Sequence, residues 1–174
     1  MGTEIERRFR VNLERLSPNG EDGKRLPQGR YYKQGYLAPH DPSIRVRLVA
    51  WNDKPITAPT LVSQAILTIK GKGTVERAEW NIMVSNQEGF EILQTQAKHG
   101  FVEKVRYDIT VGSTKWELDK FVGTHEGLWL AEVELPSRDA PFDRPPWLGE
   151  EVTEDDRYSN AYLASHAGRF WDPT

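Results

Sequence analysis

Like charges two residues apart recur along this chain, segment after segment, and that spacing constrains its fold more than any other feature. In an extended strand, residues i and i+2 point the same way. Segments near 3–13, 30–37, 43–51, 61–70, 77–84, 101–111, 113–121 and 128–135 alternate apolar and polar residues and are rich in β-branched and aromatic types, which predicts about eight strands. Glu4 and Glu6 then share a face with Arg8. Arg45 with Arg47, Lys104 with Arg106, Glu117 with Asp119, and Glu132 with Glu134 repeat the pattern, backed by apolar residues such as Val46, Val105, Leu118 and Val133. Thr68 with Lys70 and Arg77 with Glu79 add mixed pairs, and Lys33 stands in the second segment.

An ordinary solvated sheet face intersperses its signs, whereas repeated like charges cost free energy unless something neutralises them. Acid pairs can hold a hard divalent cation through oxygen, and basic pairs can hold phosphate oxygens, arginine forking onto two at once. Together they describe a site for a metal and a polyphosphate. Turn-rich stretches at 17–29, 52–59, 71–73 and 136–146 join the strands. Most connections are short, so neighbouring strands should pair antiparallel. Two segments predict helices: Ser85 to His99, with Phe90, Leu93 and Ala97 at helical spacing, and Asp155 to Phe170, with Tyr158, Ala161, Tyr162 and Ser165; Ser85 and Asp155 are the expected caps. If the charged faces point inward, a closed barrel of about eight strands forms a polar tunnel wide enough for one small ligand. The outer apolar faces then need more cover than two helices provide, which points to a homodimer.

At 174 residues the chain is sized for one domain, 1–174. The balance of 23 Lys+Arg against 26 Asp+Glu offers no overall pull on nucleic acid or an anionic membrane. No apolar run is long enough to cross a bilayer, and Met1-Gly2-Thr3-Glu4 lacks the basic and apolar regions of a secretory signal, so a cytoplasmic protein is expected. Zero cysteine rules out disulfides and thiolate catalysis. His40, His99, His125 and His166 are scattered without ligand spacing, which argues against zinc. Neither GxSxG nor GxxxxGK[ST] occurs, so acyl-transfer and P-loop routes lack their residues. The six tryptophans mostly fall opposite the charged faces and read as packing residues.

The motifs extend in order along nearly the whole chain: Glu4-Ile5-Glu6-Arg7-Arg8, Tyr32-Lys33-Gln34-Gly35-Tyr36, Ile44-Arg45-Val46-Arg47, Thr68-Ile69-Lys70-Gly71, Arg77-Ala78-Glu79, Glu103-Lys104-Val105-Arg106-Tyr107, Trp116-Glu117-Leu118-Asp119, Ala131-Glu132-Val133-Glu134-Leu135 and Arg157-Tyr158-Ser159-Asn160. In this order they resemble the CYTH superfamily, the triphosphate tunnel metalloenzymes, whose mark is an amino-terminal ExExK strand. The resemblance implies a mainly β (α+β) fold, a closed eight-stranded antiparallel barrel with a few flanking helices, that hydrolyses a triphosphate with Mg2+ or Mn2+. Similarity to the small bacterial members implies inorganic tripolyphosphate as the substrate; a thiamine triphosphatase, a CYTH-type adenylate cyclase and a non-catalytic triphosphate- or polyphosphate-binding module are the alternatives. It further implies Glu4, Glu6, Glu132 and Glu134 as metal ligands, with Arg8, Asp119 and Glu132 beside Glu4 and Glu6 in the catalytic set. Lys33, Arg45, Arg47, Lys70, Arg77, Lys104, Arg106 and Arg157 would bind phosphate. Two positions depart from the family pattern. Arg8 stands where the motif has lysine, and Asn81 where RxExE has its second acid.

Overall fold

The computed structural model describes residues 5–16, 25–40, 42–71, 78–168 and 170–171. Nine antiparallel strands form one sheet: β1 (Ile5–Val11), β2 (Arg30–Ala38), β3 (Ser43–Ala50), β4 (Gln64–Lys70), β5 (Glu79–Val84), β6 (Phe101–Val111), β7 (Thr114–Val122), β8 (Trp129–Leu135) and β9 (Leu148–Glu151). Helix α1 (Asn86–Gln96) follows β5, and α2 (Asn160–Ser165) follows β9. The spatial order is β5-β4-β3-β2-β6-β7-β8-β1-β9, so the first strand is brought back beside the eighth.

All eight expected strands are present, and the sheet is not closed by hydrogen bonds: among the described residues β5 and β9 are the edges of the ladder. The reason lies at β1, whose second edge is taken by β9 through Phe9 opposite Glu151 and Val11 opposite Leu148. The sheet nevertheless curls. Gln34, Lys104 and Asp119 are 0% exposed, although α1 lies on the other face of the sheet. Lys70 on β4 is also close enough to Glu6 on β1 to favour its ionisation, although five strands separate them in the ladder.

The apolar face points outward and is covered by the chain itself. Leu93 of α1 packs with Val46, Leu48, Ala65 and Val105 of the sheet. The helix lies so close that a Cβ on Gly89 would stand 2.4 Å from that of Ala65. On the other side, Phe9, Trp116, Leu118, Ala131 and Val133 pack with Trp147 and Phe142. Part of this face stays exposed, including Trp80 and Ile82 on edge strand β5. A third cluster joins Val102, Phe121 and Leu130, which belong to the charged face, to Tyr158, Leu163 and Trp171, so the carboxy-terminal segment closes one end of that face. No helix among the described residues is long and apolar enough to cross a membrane.

The first helix forms where expected. Ser85 caps it by accepting from the Glu88 amide while the Glu88 carboxylate accepts from the Ser85 amide, a reciprocal box. Replacing Ser85 by alanine is expected to lower stability by about 1 kcal/mol, read from the midpoint of urea unfolding. Gly100, after the helix, has φ +77° and faces the Ala164 carbonyl, which a Cβ would approach to 1.9 Å. The second helix is shorter than expected. Asp155 caps a 3-10 turn over Asp156–Tyr158, extended backbone at Ser159 breaks it, and Ser159 then caps α2.

Candidate functional site

The register of the ladder carries one set of side chains across the sheet onto the enclosed face. Glu6 lies opposite Glu134 and Arg8 opposite Glu132. Glu117 stands opposite Glu132 and Arg106 opposite Asp119. Arg106 is also opposite Arg30, and Lys104 opposite Tyr32. Arg47 stands opposite Gln34, Arg45 opposite Tyr36 and Thr68, and Lys70 opposite Glu79.

Strands β2, β3 and β6 make a cationic wall. The Tyr32 ring lies under three guanidiniums, those of Arg30, Arg47 and Arg106, whose carbons are 5.8, 5.3 and 5.5 Å from its centroid. Arg47 donates from Nε to Gln34 Oε1 at 3.0 Å, a neutral partner. Burial, together with the nearby charges of Arg45 and Arg106, pulls the Arg47 guanidinium down to about 10. Buried Arg45 Nε has no hydrogen-bond partner among the described residues. A buried donor left unmatched carries a desolvation cost of about 1–3 kcal/mol. Positive charge on this wall therefore exceeds what its own neighbours neutralise.

Strands β1, β7 and β8 make the opposing acidic wall, and a buried ion-pair network joins the two. Lys104 Nζ donates to Asp119 Oδ2 at 2.5 Å, and Arg106 grips the same carboxylate from Nε at 2.6 Å and Nη2 at 2.7 Å. Arg106 Nη2 also reaches Glu132 Oε2 at 2.7 Å, and its Nη1 pairs with Glu117. Arg8 spans Glu132 Oε1, 2.8 Å from its Nε, and Glu6 Oε1, 2.7 Å from its Nη2. Burial would raise the Glu132 carboxyl, but Arg8 and Arg106 outweigh it and hold it well below the usual carboxylate range. Burial lowers the Lys104 ammonium, helped by the neighbouring Arg106. Two acids are pushed the other way. The Glu132 charge, then burial, raises Glu6, and burial raises Glu117 despite Arg106. Glu6 and Glu117 are thus the acids of this wall whose ionised forms are least favoured, although Arg8 and Arg106 pair with them.

A family model for the CYTH domain matches residues 2–170. The chain belongs to the CYTH family. A protein of Acetivibrio thermocellus named inorganic triphosphatase is 38% identical over 168 residues, covering 95% of this chain and 96% of its own. One of Nitrosomonas europaea with the same name is 38% identical over 165 residues, covering 93% of this chain and 97% of its own. Among solved structures, that of the inorganic triphosphatase NE1496 superposes with a TM-score of 0.64 at 34% identity, over 95% of this chain and 97% of that one.

In this CYTH chain one face of the sheet gathers Glu6, Arg8, Arg45, Arg47, Lys70, Lys104, Arg106, Asp119, Glu132 and Glu134, of which Glu6 and Glu134 are exposed. Lys33 is not among them. It lies on the opposite face, opposite Glu103, 3.4 Å from that carboxylate and 4.6 Å from the Phe101 ring centroid. Arg157 is not gathered either: it grips Asp155 at 2.6 Å, lies over Phe170, and its side chain is 55% exposed. Glu4 and Arg77 lie outside the described residues. Where the CYTH pattern has a second acid, Asn81 accepts from Thr68 Oγ1 at 2.7 Å and donates to Glu79 Oε1 at 3.1 Å. Lys70 pairs with Glu79 at 2.7 Å. Sequence reasoning passed over Arg30, Tyr32 and Gln34 as site residues. The signal was their own period of two on β2, hidden because Lys33, the most conspicuous cation there, belongs to the other face.

Proposed function

We propose that this chain hydrolyses inorganic triphosphate on its enclosed face, aided by a divalent cation. The observation that carries this reading is a pair of walls of opposite charge on one face: buried Arg45 Nε without a hydrogen-bond partner among the described residues and Arg47 crowded by cations on one, Glu6 and Glu117 with raised carboxyls on the other. A bound polyanion satisfies the first wall and a hard cation the second. The names of the relatives from Acetivibrio thermocellus and Nitrosomonas europaea support the same substrate.

The donor set suits such an ion in kind, being carboxylate oxygen only. Among the described residues no three carboxylate or imidazole groups already converge as a metal cage. Cross-strand partners Glu6 and Glu134 would hold the ion, with Glu132 behind them and Glu4 as the further ligand suggested by the motif; Mg2+ or Mn2+ is the matching choice. What the ion supplies when bound is neutralisation and polarisation of phosphate oxygens.

The protein's own groups do the rest. Arg45, Arg47, Lys70, Lys104 and Arg106 grip the phosphate oxygens and spread the developing charge, holding a terminal phosphorus for in-line attack by water. The P–O anhydride bond breaks as the new P–O bond forms, giving orthophosphate and pyrophosphate. Asp119 and Glu132 are each committed to two cations, so their role is to fix Arg8, Lys104 and Arg106. Glu117, raised by burial and not assigned to the ion, is the carboxylate suited to accept the proton of the attacking water.

Phosphate release from tripolyphosphate, ATP and thiamine triphosphate, each with Mg2+ and with EDTA, tests this. The expected result is release from tripolyphosphate that disappears in EDTA. Tight binding of tripolyphosphate with no release under any condition would instead show a binding module.

A further inference from the structure

The position at which the chain departs from the ExExK pattern is also the one that bridges the acidic wall. Arg8 uses two nitrogens on two carboxylates: Nη2 on Glu6 Oε1 at 2.7 Å and Nε on Glu132 Oε1 at 2.8 Å. Its side chain is 15% exposed, and the second Glu132 oxygen is taken by Arg106. The guanidinium therefore stands between Glu6 and Glu132, two of the carboxylates assigned above to the cation. A lysine ammonium is one compact nitrogen with freely turning donors, whereas the guanidinium is a wide, weakly hydrated plane whose fork is fixed once both ends are engaged.

We propose that Arg8 is a built-in rival of the divalent cation: in the free protein it holds Glu6 and Glu132, and the ion binds well only when Arg8 leaves Glu6. This rests on the cation reading given under Proposed function. The substrate is the natural agent of release, since a triphosphate offers the guanidinium a stronger partner than Glu6. Arg8 then turns from the acidic wall to a phosphate oxygen, and Glu6 becomes available. Ion and triphosphate consequently bind with positive coupling, and the coupling is reciprocal because it is one free energy seen from two sites.

The test is calorimetric titration with Mn2+ of the wild-type chain, Arg8→Lys and Arg8→Gln, with circular dichroism confirming that each is folded. Both variants are expected to bind Mn2+ about fivefold or more tightly than the wild type, Arg8→Gln more so. Arg8→Lys keeps the charge that stabilises Glu132, so it provides the answer should Arg8→Gln not fold. Equal or weaker Mn2+ affinity in folded Arg8→Lys overturns the role given to Arg8 while leaving the cation site intact. Failure of all three proteins to bind Mn2+ overturns the cation reading itself, and this inference with it.

Discussion

Replacing Asp119 by alanine is expected to destabilise the protein by about 3–5 kcal/mol, the usual cost of stripping one partner from a buried ion pair. Lys104 and Asp119 are both 0% exposed, and the Asp119 carboxylate is the partner Lys104 holds at 2.5 Å. Without it the ammonium must either stay buried and uncompensated beside Arg106 or give up its proton. Arg106 loses two contacts but keeps Glu117 and Glu132, so most of the cost falls on Lys104. Urea unfolding measures this as a fall in midpoint at unchanged slope. The double replacement Lys104→Met with Asp119→Leu should recover much of the loss, because a buried ion pair and an apolar pair of similar volume are often close in free energy. A single-variant loss under about 1 kcal/mol would mean that water already solvates this network.

The same network explains what could be read from the sequence and what could not. Strand positions were legible because alternation with period two survives wherever one face is apolar: Val105 against Lys104 and Arg106, Leu118 against Glu117 and Asp119. Where both faces are partly apolar the period loses its meaning. On β2, adjacent Tyr31 and Tyr32 are both buried, on opposite faces, so composition does not say which is enclosed. That choice is made by tertiary contact: Gly35 lies under α1, where a Cβ would stand 2.5 Å from that of Ala97, and Lys33 shares its face. Strand β9 was illegible for another reason. Leu148-Gly149-Glu150-Glu151 has no strand composition, and its pairing comes from the free edge of β1, with the Val152 amide bonded to the Arg8 carbonyl. The break at Ser159 was likewise hidden, because serine in a helical pattern signals a start only once the backbone before it is extended.

Folding the charged face inward is costly, and the arrangement shows where that cost is left standing. Asp119 and Glu132 repay Arg8, Lys104 and Arg106 within the protein. Arg45 and Arg47 are not matched in this way: among the described residues neither makes an ion pair, their strand partners are Gln34, Tyr36 and Thr68, Arg47 lies over Tyr32, and the one carboxylate that feels Arg45, Glu79, is held by Lys70. The strands thus differ: the cations of β6 are paired with carboxylates of β7 and β8, whereas those of β3 make no ion pair among the described residues, so on the proposed reading a bound anion would change β3 most.

From that difference Arg45→Ala should weaken binding without weakening the fold. Affinity for tripolyphosphate, measured by calorimetry in EDTA so that turnover does not interfere, is expected to fall by roughly ten- to a hundredfold, since a charge-assisted contact contributes about 1.5–3 kcal/mol. Stability should hold or rise, because the variant removes a buried unpaired donor and one of the two cations that depress Arg47. Arg45→Lys keeps the charge but cannot offer the fork, and is expected to fall between the two in affinity. Higher salt should narrow the difference without abolishing it, as the contact is enclosed. Unchanged affinity in Arg45→Ala would remove β3 from the binding wall, and a loss of stability above about 1 kcal/mol would make Arg45 a structural residue. A protein tolerates a strained cation only where a ligand relieves it, so the two measurements must move apart for the charged face to be a phosphate cradle.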